Sequence, residues 1–341
     1  MEPTRVAVVG LGWWGRTLVN AMRGNTRLQV VRVVDPSPAA TEFAAEHGLP
    51  LGTDLASALA DPAVQAVILC TPHSLHCEQI VAAAAAGKHV FGEKPLCMTR
   101  AEAERAVHAV RSRGLVLGVG HEKRFEPPIL AATALVRAGS LGRVLQIEAN
   151  FSQDKMLGLA ADNWRVSAKE APAGPLTATG IHLVDLAVSL LGPVESVSAH
   201  VAQLDSNLAN GDTLGIMMKF AGGGHALISA ILATPFAGRF AIYGSKGWVE
   251  VRDKSHPENS EGWTLTTALR GQPVQVVDMP AASSVLANLE AFADAVAGRA
   301  PYPVSDAELV DTVAALEAVI RATRSDRTEQ LLPAETEAVA A

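Results

Sequence analysis

Residues 6–15 read VAVVGLGWWG, an apolar β-branched run that passes straight into Gly10, Gly12 and Gly15 in the spacing Gly-x-Gly-x-x-Gly. The run predicts a strand, and the residues from Trp14 to about 23 predict a helix. Glycine is needed where backbone turns sharply and comes close to a ligand, and a helix N-terminus just beyond presents unpaired amides to a pyrophosphate. Asp35 closes the next strand, 20 residues after Gly15, where a carboxylate can accept hydrogen bonds from adenosine ribose hydroxyls. Pro36, Ser37 and Pro38 follow, and none is basic, so NAD is expected over NADP. Gly10, Leu11, Gly12, Trp13, Trp14, Gly15 and Asp35 are the expected cofactor contacts. One of the two tryptophans is expected to pack under the helix and the other to border the cofactor.

Outward from this motif the pattern repeats. Strand-like segments at 5–9, 29–34, 65–70, 88–91 and 115–120 alternate with helical periods near 38–46, 54–60, 75–86 and 100–112. That alternation predicts a parallel sheet covered by helices, with Thr53 or Asp54 and Thr99 as helix caps. After Phe125 the rhythm changes to a helix opened by Pro127-Pro128 and a succession of strands between 143 and 279. A helix at 178–191 interrupts them, and two more follow near 284–297 and 306–323. The expected fold is an α/β dinucleotide-binding domain of Rossmann type at 1–122. An α+β domain at 123–330, with a large, mostly antiparallel, open-faced sheet, follows it, and a loose tail occupies 331–341. The glycines at 222–224 lack a following helix and read as a hairpin turn.

Composition narrows the class. Of 341 residues 49% are hydrophobic, the formal net charge is -7, and there are three cysteines. A negative chain with no basic stripe does not suit nucleic acid, whose binding rests on clustered Lys and Arg. No apolar window reaches the ~20 residues of a membrane span. An odd cysteine count without a C-x-x-C pair argues against a disulfide framework, and with no export signal in MEPTRVAVVG the expected location is cytoplasmic.

The segment ILCTPHSLHCEQI (68–80) crowds Cys70, His73, His76 and Cys77 together. Their spacing is not one that zinc sites use, and no metal is expected. Thr71-Pro72 instead ends a strand where open α/β sheets bind ligands, beyond the strand C-termini.

The glycine loop, Asp35, TPHSLHCE and Glu93-Lys94-Pro95-Leu96 together resemble the family of glucose-fructose oxidoreductase, inositol dehydrogenase and rhizopine-catabolism oxidoreductases, Gfo/Idh/MocA. The likeness extends through VGHEKRFEP (119–127), NWR (163–165), GIHLVD (180–185) and YGSKGWVEV (243–251). The resemblance implies that Lys94 is the active-site lysine beside the nicotinamide and that His182 is the general acid/base. It implies that Cys70, Thr71, Pro72, His73 and His76 form the loop against the nicotinamide half, that Glu93 and Arg165 contact the cofactor, and that Trp164 borders the cleft. A cis bond before Pro95 and a homodimer or homotetramer through the second-domain sheet are implied likewise.

The chemistry also follows from the side chains. An imidazole titrating near neutral pH suits removal of a hydroxyl proton, and an ammonium beside the oxygen stabilises developing alkoxide. One departure stands out: where the family commonly carries Asp, LTATGIH has Ala178. The proton path is then shorter, or uses Thr177, Thr179 or Asp185, the last on the same helical face as His182. Thr179, Asp185 and Arg124 join Lys94, Trp164 and His182 as expected substrate contacts, with Lys123 and His121 close by. An ion pair at the domain join is an equal reading of Arg124. The function expected is NAD-dependent oxidation of a secondary alcohol of a sugar, cyclitol or related polyol. Rival readings are a dehydrogenase of a carboxylated aromatic dihydrodiol or semialdehyde, a glycosidase with an internal redox cycle, and a non-enzymatic NAD-binding regulator.

Overall fold

A computed structural model describes residues 2–331. The chain divides into two units, one of residues up to Phe125 with Ser283–Val313, the other of Glu126–Ala282 with the chain from Ala314 onward.

The first unit carries six strands, β1 (Thr4–Val9), β2 (Leu28–Val34), β3 (Leu51–Gly52), β4 (Ala66–Leu69), β5 (His89–Gly92) and β6 (Leu117–Val119), in the order β3-β2-β1-β4-β5-β6. Every pairing is parallel. The connecting helices are α1 (Trp13–Ala21), α2 (Ala40–Glu46), α3 (Leu55–Leu59), α4 (His76–Ala85) and α5 (Arg100–Arg111). β1 and β4 are buried on both faces, which is why they read as continuous apolar runs. Ala7, Val9, Val67 and Leu69 join one core cluster with Ile80 and Ala106 of the helices, while Val6, Val8, Ala66 and Ile68 join another on the opposite face. Asp54 caps α3 by accepting from the Ser57 amide at 2.8 Å. Thr99 caps α5, with Glu102 reaching back to the Thr99 amide at 3.1 Å.

The second unit carries α6 (Pro127–Arg137), β7 (Val144–Ser152), α7 (Ile181–Leu191), β8 (Val194–Ala202), β9 (Thr213–Phe220), β10 (His225–Ile231), β11 (Ala237–Gly244), β12 (Gly247–Asp253), β13 (Trp263–Leu269) and β14 (Gln275–Met279). With β15 (Glu329–Gln330) they form a nine-stranded sheet, β14-β13-β12-β11-β7-β10-β9-β8-β15. Only the β10–β7 pairing is parallel. Burial alternates strictly along β9 and β10: α7 packs on one face, and Met217 and Leu227 stand on the other, 45% and 41% exposed. The glycine turn at 222–224 joins β9 to β10 as a hairpin, with Gly223 and Gly224 at φ +88° and +83°.

The expected second domain at 123–330 is interrupted. Residues 283–313 belong with the first unit, where α8 (Ser284–Val296) buries Leu289, Phe292 and Ala293 against the parallel sheet. The Phe292 ring meets Phe91 edge-on at 5.5 Å. The apolar stripe of α8 predicts a buried face but not which sheet it covers. The last helix, α9 (Asp306–Ser325), contributes Leu309 and Val313 to the first unit's core. Leu331 apart, the expected loose tail lies outside the described residues.

Candidate active site

In the first unit the strand order reverses between β1 and β4, the place where open α/β sheets bind ligands. The three glycines there do different things. Gly10 sits at φ +93°, and a Cβ on it would lie 2.7 Å from the Cys70 carbonyl oxygen, so no side chain fits between the ends of β1 and β4. A Cβ on Gly15 would run into the Gly10 carbonyl oxygen, so this glycine lets α1 press on the strand. A Cβ on Gly12 would meet nothing within 4 Å. Its missing side chain leaves a concave, amide-lined surface at the start of α1, where a pyrophosphate fits.

Asp35 completes this cradle from the end of β2. The Leu11 amide donates to its Oδ2 at 2.6 Å and the Ser37 amide to its Oδ1 at 2.8 Å. The carboxylate is therefore aimed at the glycine loop, with acceptor capacity left for ribose hydroxyls. Trp14 packs beside the core cluster of Leu18 and Phe43, and Trp13 is 52% exposed, with ring centroids 5.4 Å apart. These residues fit NAD.

The segment after β4 and the segment after β5 are tied together. His76, fully buried at the start of α4, presents Nδ1 to the Pro95 carbonyl at 2.8 Å and Nε2 to the Thr71 carbonyl at 3.0 Å. Burial lowers its pKa, against a smaller opposing pull from the Pro95, Thr71 and Leu96 carbonyls. The Thr71 hydroxyl donates to Gln79 at 2.6 Å, and Pro72 precedes a short turn, His73–Leu75, that buries His73. Cys70 is partly exposed. Cys77 faces away from His73 and His76's partners, toward Arg105 at 3.0 Å. Among the described residues no group of His, Cys, Asp or Glu is arranged to hold a metal ion.

Lys94 is the second residue after β5, partly exposed, at the same edge of the sheet as the glycine loop, and its bond to Pro95 is cis. The buried Glu93 anchors it: the Glu93 amide donates to the Leu69 carbonyl at 2.9 Å, and the carboxylate accepts from the Lys94 amide at 3.2 Å. That carboxylate lies where a Cβ on Gly120 would approach within 2.5 Å, so the end of β6 must be bare. Lys123 and His121 are buried beyond β6. Arg124 is in an ion pair with Glu308 at 2.7 Å within the first unit. The pair lies inside that unit rather than at the domain join.

In the second unit His182 and Asp185 are both buried and one helical turn apart near the start of α7. The five residues before α7, Leu176–Gly180, form a π-helical turn, a widened coil that often marks functional sites. Thr179 donates to the Phe151 carbonyl at 2.8 Å and Thr177 to the Gly174 carbonyl at 3.3 Å. Ala178 packs against Val166, Leu208 and Leu232, an apolar cluster in which a carboxylate would be costly. The Arg165 guanidinium stacks over Trp164 at 4.3 Å, on the turn Trp164–Val166.

Sequence reasoning missed a cluster of rings that reaches His182 through Phe151. Phe151 lies 6.2 Å from it, and Phe236 and His256 lie 6.1 and 5.9 Å from Phe151. They come from β7, the approach to β11 and the turn before β13, and only strand pairing assembles them.

A family model described as "Oxidoreductase family, NAD-binding Rossmann fold" matches residues 4–121, and the GFO/IDH/MocA C-terminal domain matches residues 129–250. The chain belongs to the Gfo/Idh/MocA family. It is an oxidoreductase that uses NAD through its Rossmann domain. Within the family it is similar to the scyllo-inositol 2-dehydrogenase (NADP(+)) IolW of Bacillus subtilis, 26% identical over 291 residues and covering 80% of each chain. It is also similar to the inositol 2-dehydrogenase of Rhizobium meliloti, 28% identical over 259 residues, covering 73% of this chain and 76% of that one. Among solved structures, the aldose-aldose oxidoreductase from Caulobacter crescentus complexed with glycerol superimposes with a TM-score of 0.83 at 26% identity. That match covers 96% of this chain and 100% of the other. Among the described residues no helix is long and apolar enough to cross a membrane.

Proposed function

We propose that this protein oxidises a secondary alcohol of a sugar, cyclitol or related polyol, with Lys94 and His182 acting on the hydroxyl. When bound, NAD supplies the hydride acceptor. The observation that carries the reading is Lys94 at the mouth of the parallel sheet, in a segment anchored by Glu93 and His76 to the same strand ends that form the glycine cradle.

Each group has one task. The Lys94 ammonium donates to the substrate oxygen and stabilises the negative charge that grows there as the C–H bond breaks. His182 takes the hydroxyl proton, and Asp185, one turn along, holds the imidazole in the tautomer that accepts it. Asp35 binds the adenosine ribose, and the amides around Gly12 bind the pyrophosphate. The polyol class is supported by the inositol dehydrogenases among the relatives. Met217 and Leu227, exposed on a sheet face that also carries the ion pairs of Arg239 with Glu148 and Glu250, support assembly into a homodimer or homotetramer, since exposed apolar side chains on a sheet face are often covered by a partner. Three free cysteines suit a reducing, cytoplasmic setting.

The test is NADH formation across inositols, aldoses and glycosides with wild type, Lys94→Ala, His182→Ala and the double variant. Each single change is expected to lower kcat/KM by about 10²–10⁴-fold on the substrate that wild type turns over. The double variant is expected to lose less than the product of the two single losses, because both groups act on one hydroxyl in the same step. Unchanged turnover in Lys94→Ala would overturn the assignment.

A further inference from the structure

Outside the cofactor cradle, a second group of reactive side chains lies within the first unit. Cys77, in the first turn of α4, and Cys97, three residues after Lys94, are both buried and both thiols. The Cys97 side chain interacts with the Cys77 thiol, and His76 and Pro95, within two residues of them in sequence, are joined at 2.8 Å. Arg105 of α5 donates to Cys77 Sγ at 3.0 Å, and the Cys77 thiol donates to the Glu102 carbonyl at 3.4 Å. Arg105 also pairs with Glu78, and both of these side chains stand at the surface, 49% and 70% exposed. Cys77 therefore sits one guanidinium below solvent, at a helix N-terminus, with a second sulfur in contact.

The contacts with Cys97 and with the Arg105 guanidinium favour a thiolate on Cys77, against burial and the Glu102 carbonyl, which favour the thiol. Its interaction with Cys97, followed by that with the Arg105 guanidinium, holds its pKa below the ordinary thiol range despite burial. The same contact and burial push the Cys97 thiol up. One sulfur is the nucleophile and the other a protonated partner within reach, the arrangement that resolves an oxidised cysteine into a disulfide.

We propose that Cys77 and Cys97 are a peroxide-sensitive dithiol whose oxidation to a disulfide slows the reaction at Lys94. In the first step the Cys77 thiolate attacks hydrogen peroxide; the O–O bond breaks, hydroxide leaves, and the sulfur becomes a sulfenic acid. In the second the Cys97 sulfur attacks Cys77 as its thiol proton leaves, the S–O bond breaks, and water departs. Two thiols and one peroxide thus give one disulfide and two waters, and a reducing dithiol reverses the change. The bond fastens the start of α4 to the segment that carries Lys94, two residues from Pro95, where His76 already joins the same two segments. Formation of the bond is independent of the role given to Lys94; the fall in turnover rests on it.

The experiment exposes the full-length protein to hydrogen peroxide, blocks remaining thiols with iodoacetamide, and measures peptide masses and NADH formation together. Wild type and Cys70→Ser are expected to yield a linked Cys77–Cys97 peptide, lighter by ~2 Da than the two free thiols. In wild type, kcat is expected to fall about tenfold with that bond and to return with dithiothreitol. Cys97→Ser is expected to stop at a sulfenic acid on Cys77 that dimedone traps. Absence of the linked peptide from oxidised wild type would overturn the proposal, and so would a fully linked protein with unchanged turnover. Because wild type alone decides both points, poor folding of a variant does not weaken the test. Lys94→Ala activity separates failure of this proposal from failure of the catalytic assignment.

Discussion

His76 lies with Nδ1 2.8 Å from the Pro95 carbonyl oxygen, in a site from which solvent is excluded. Its other nitrogen faces the Thr71 carbonyl at 3.0 Å, so one ring spans the two loops that flank the mouth of the sheet. A neutral imidazole has a single N–H and satisfies one carbonyl at a time. The ring is thus a positioning group for Lys94, and it does not need to touch substrate.

Replacing His76 by Ala is expected to lower kcat by up to about 10²-fold through misplacement of Lys94, with a smaller rise in KM for NAD. The pH dependence has a defined sign. Burial depresses the folded pKa below the ordinary 6.5, so the stability contribution is present above that value and is lost as pH falls below it. Denaturant titrations of wild type and His76→Gln from pH 8 to 5 check this: wild type is expected to lose stability faster on the acid side. Parallel curves would remove the argument.

The glycine loop makes a pair of opposite predictions. Gly12→Ala adds a methyl to open space, so melting temperature is expected to stay within a degree or two while KM for NAD rises about tenfold or more. Gly10→Ala places a Cβ against Cys70 at a positive φ and is expected to destabilise by roughly 2 kcal/mol or more. Thermal melts and NAD titrations of the two variants side by side separate binding from folding.

Asp35 combines a charge with a loop contact. Asp35→Asn keeps an oxygen that can accept from Leu11 but removes the charge that repels a 2′-phosphate. The ratio of kcat/KM for NAD to that for NADP is expected to shrink by about tenfold or more. A ratio unchanged within error would mean that discrimination lies elsewhere in the loop.

Asp212 predicts an acid limit of the second unit. Its buried carboxylate accepts from the amides of Leu204, Asp205 and Ser206 and from the hydroxyls of Ser206 and Thr213. Burial by itself would raise its pKa, but these hydrogen bonds outweigh burial and hold it at about 2. The folded value lies below the unfolded one, so stability is complete above about pH 4 and is lost as pH falls toward 2. Asp212→Ala strands several donors and is expected to cost ~3 kcal/mol at neutral pH. Its unfolding free energy is expected to change less between pH 4 and 2 than that of wild type.

Much of this was legible in the chain because it is local. The strand, glycine and helix succession of 6–15 places an apolar period, three bare backbone positions and a helix start within reach of one ligand, and Asp35 follows at the distance of one helix and one strand. Thr99 and Glu102 announce a capping box in four residues. Other features left no local trace. β3 and β15 are two residues each, too short for any periodicity, and exist only because a neighbouring strand offers its edge. The Arg124–Glu308 pair joins residues 184 positions apart, and no local pattern announces it.

By itself the sequence determined the class of each domain, the cofactor and the position of Lys94 at a strand end, since periodicity, glycine geometry and charge act within a few residues. The tertiary structure decided where α8 belongs, that Phe151 links His182 to a cluster of rings, that Ala178 packs against an apolar cluster, and that His76 joins the Lys94 segment to the one after β4. Those are matters of which surfaces bury one another, and burial is set by chain segments far apart in sequence, whose pairing no single stretch encodes.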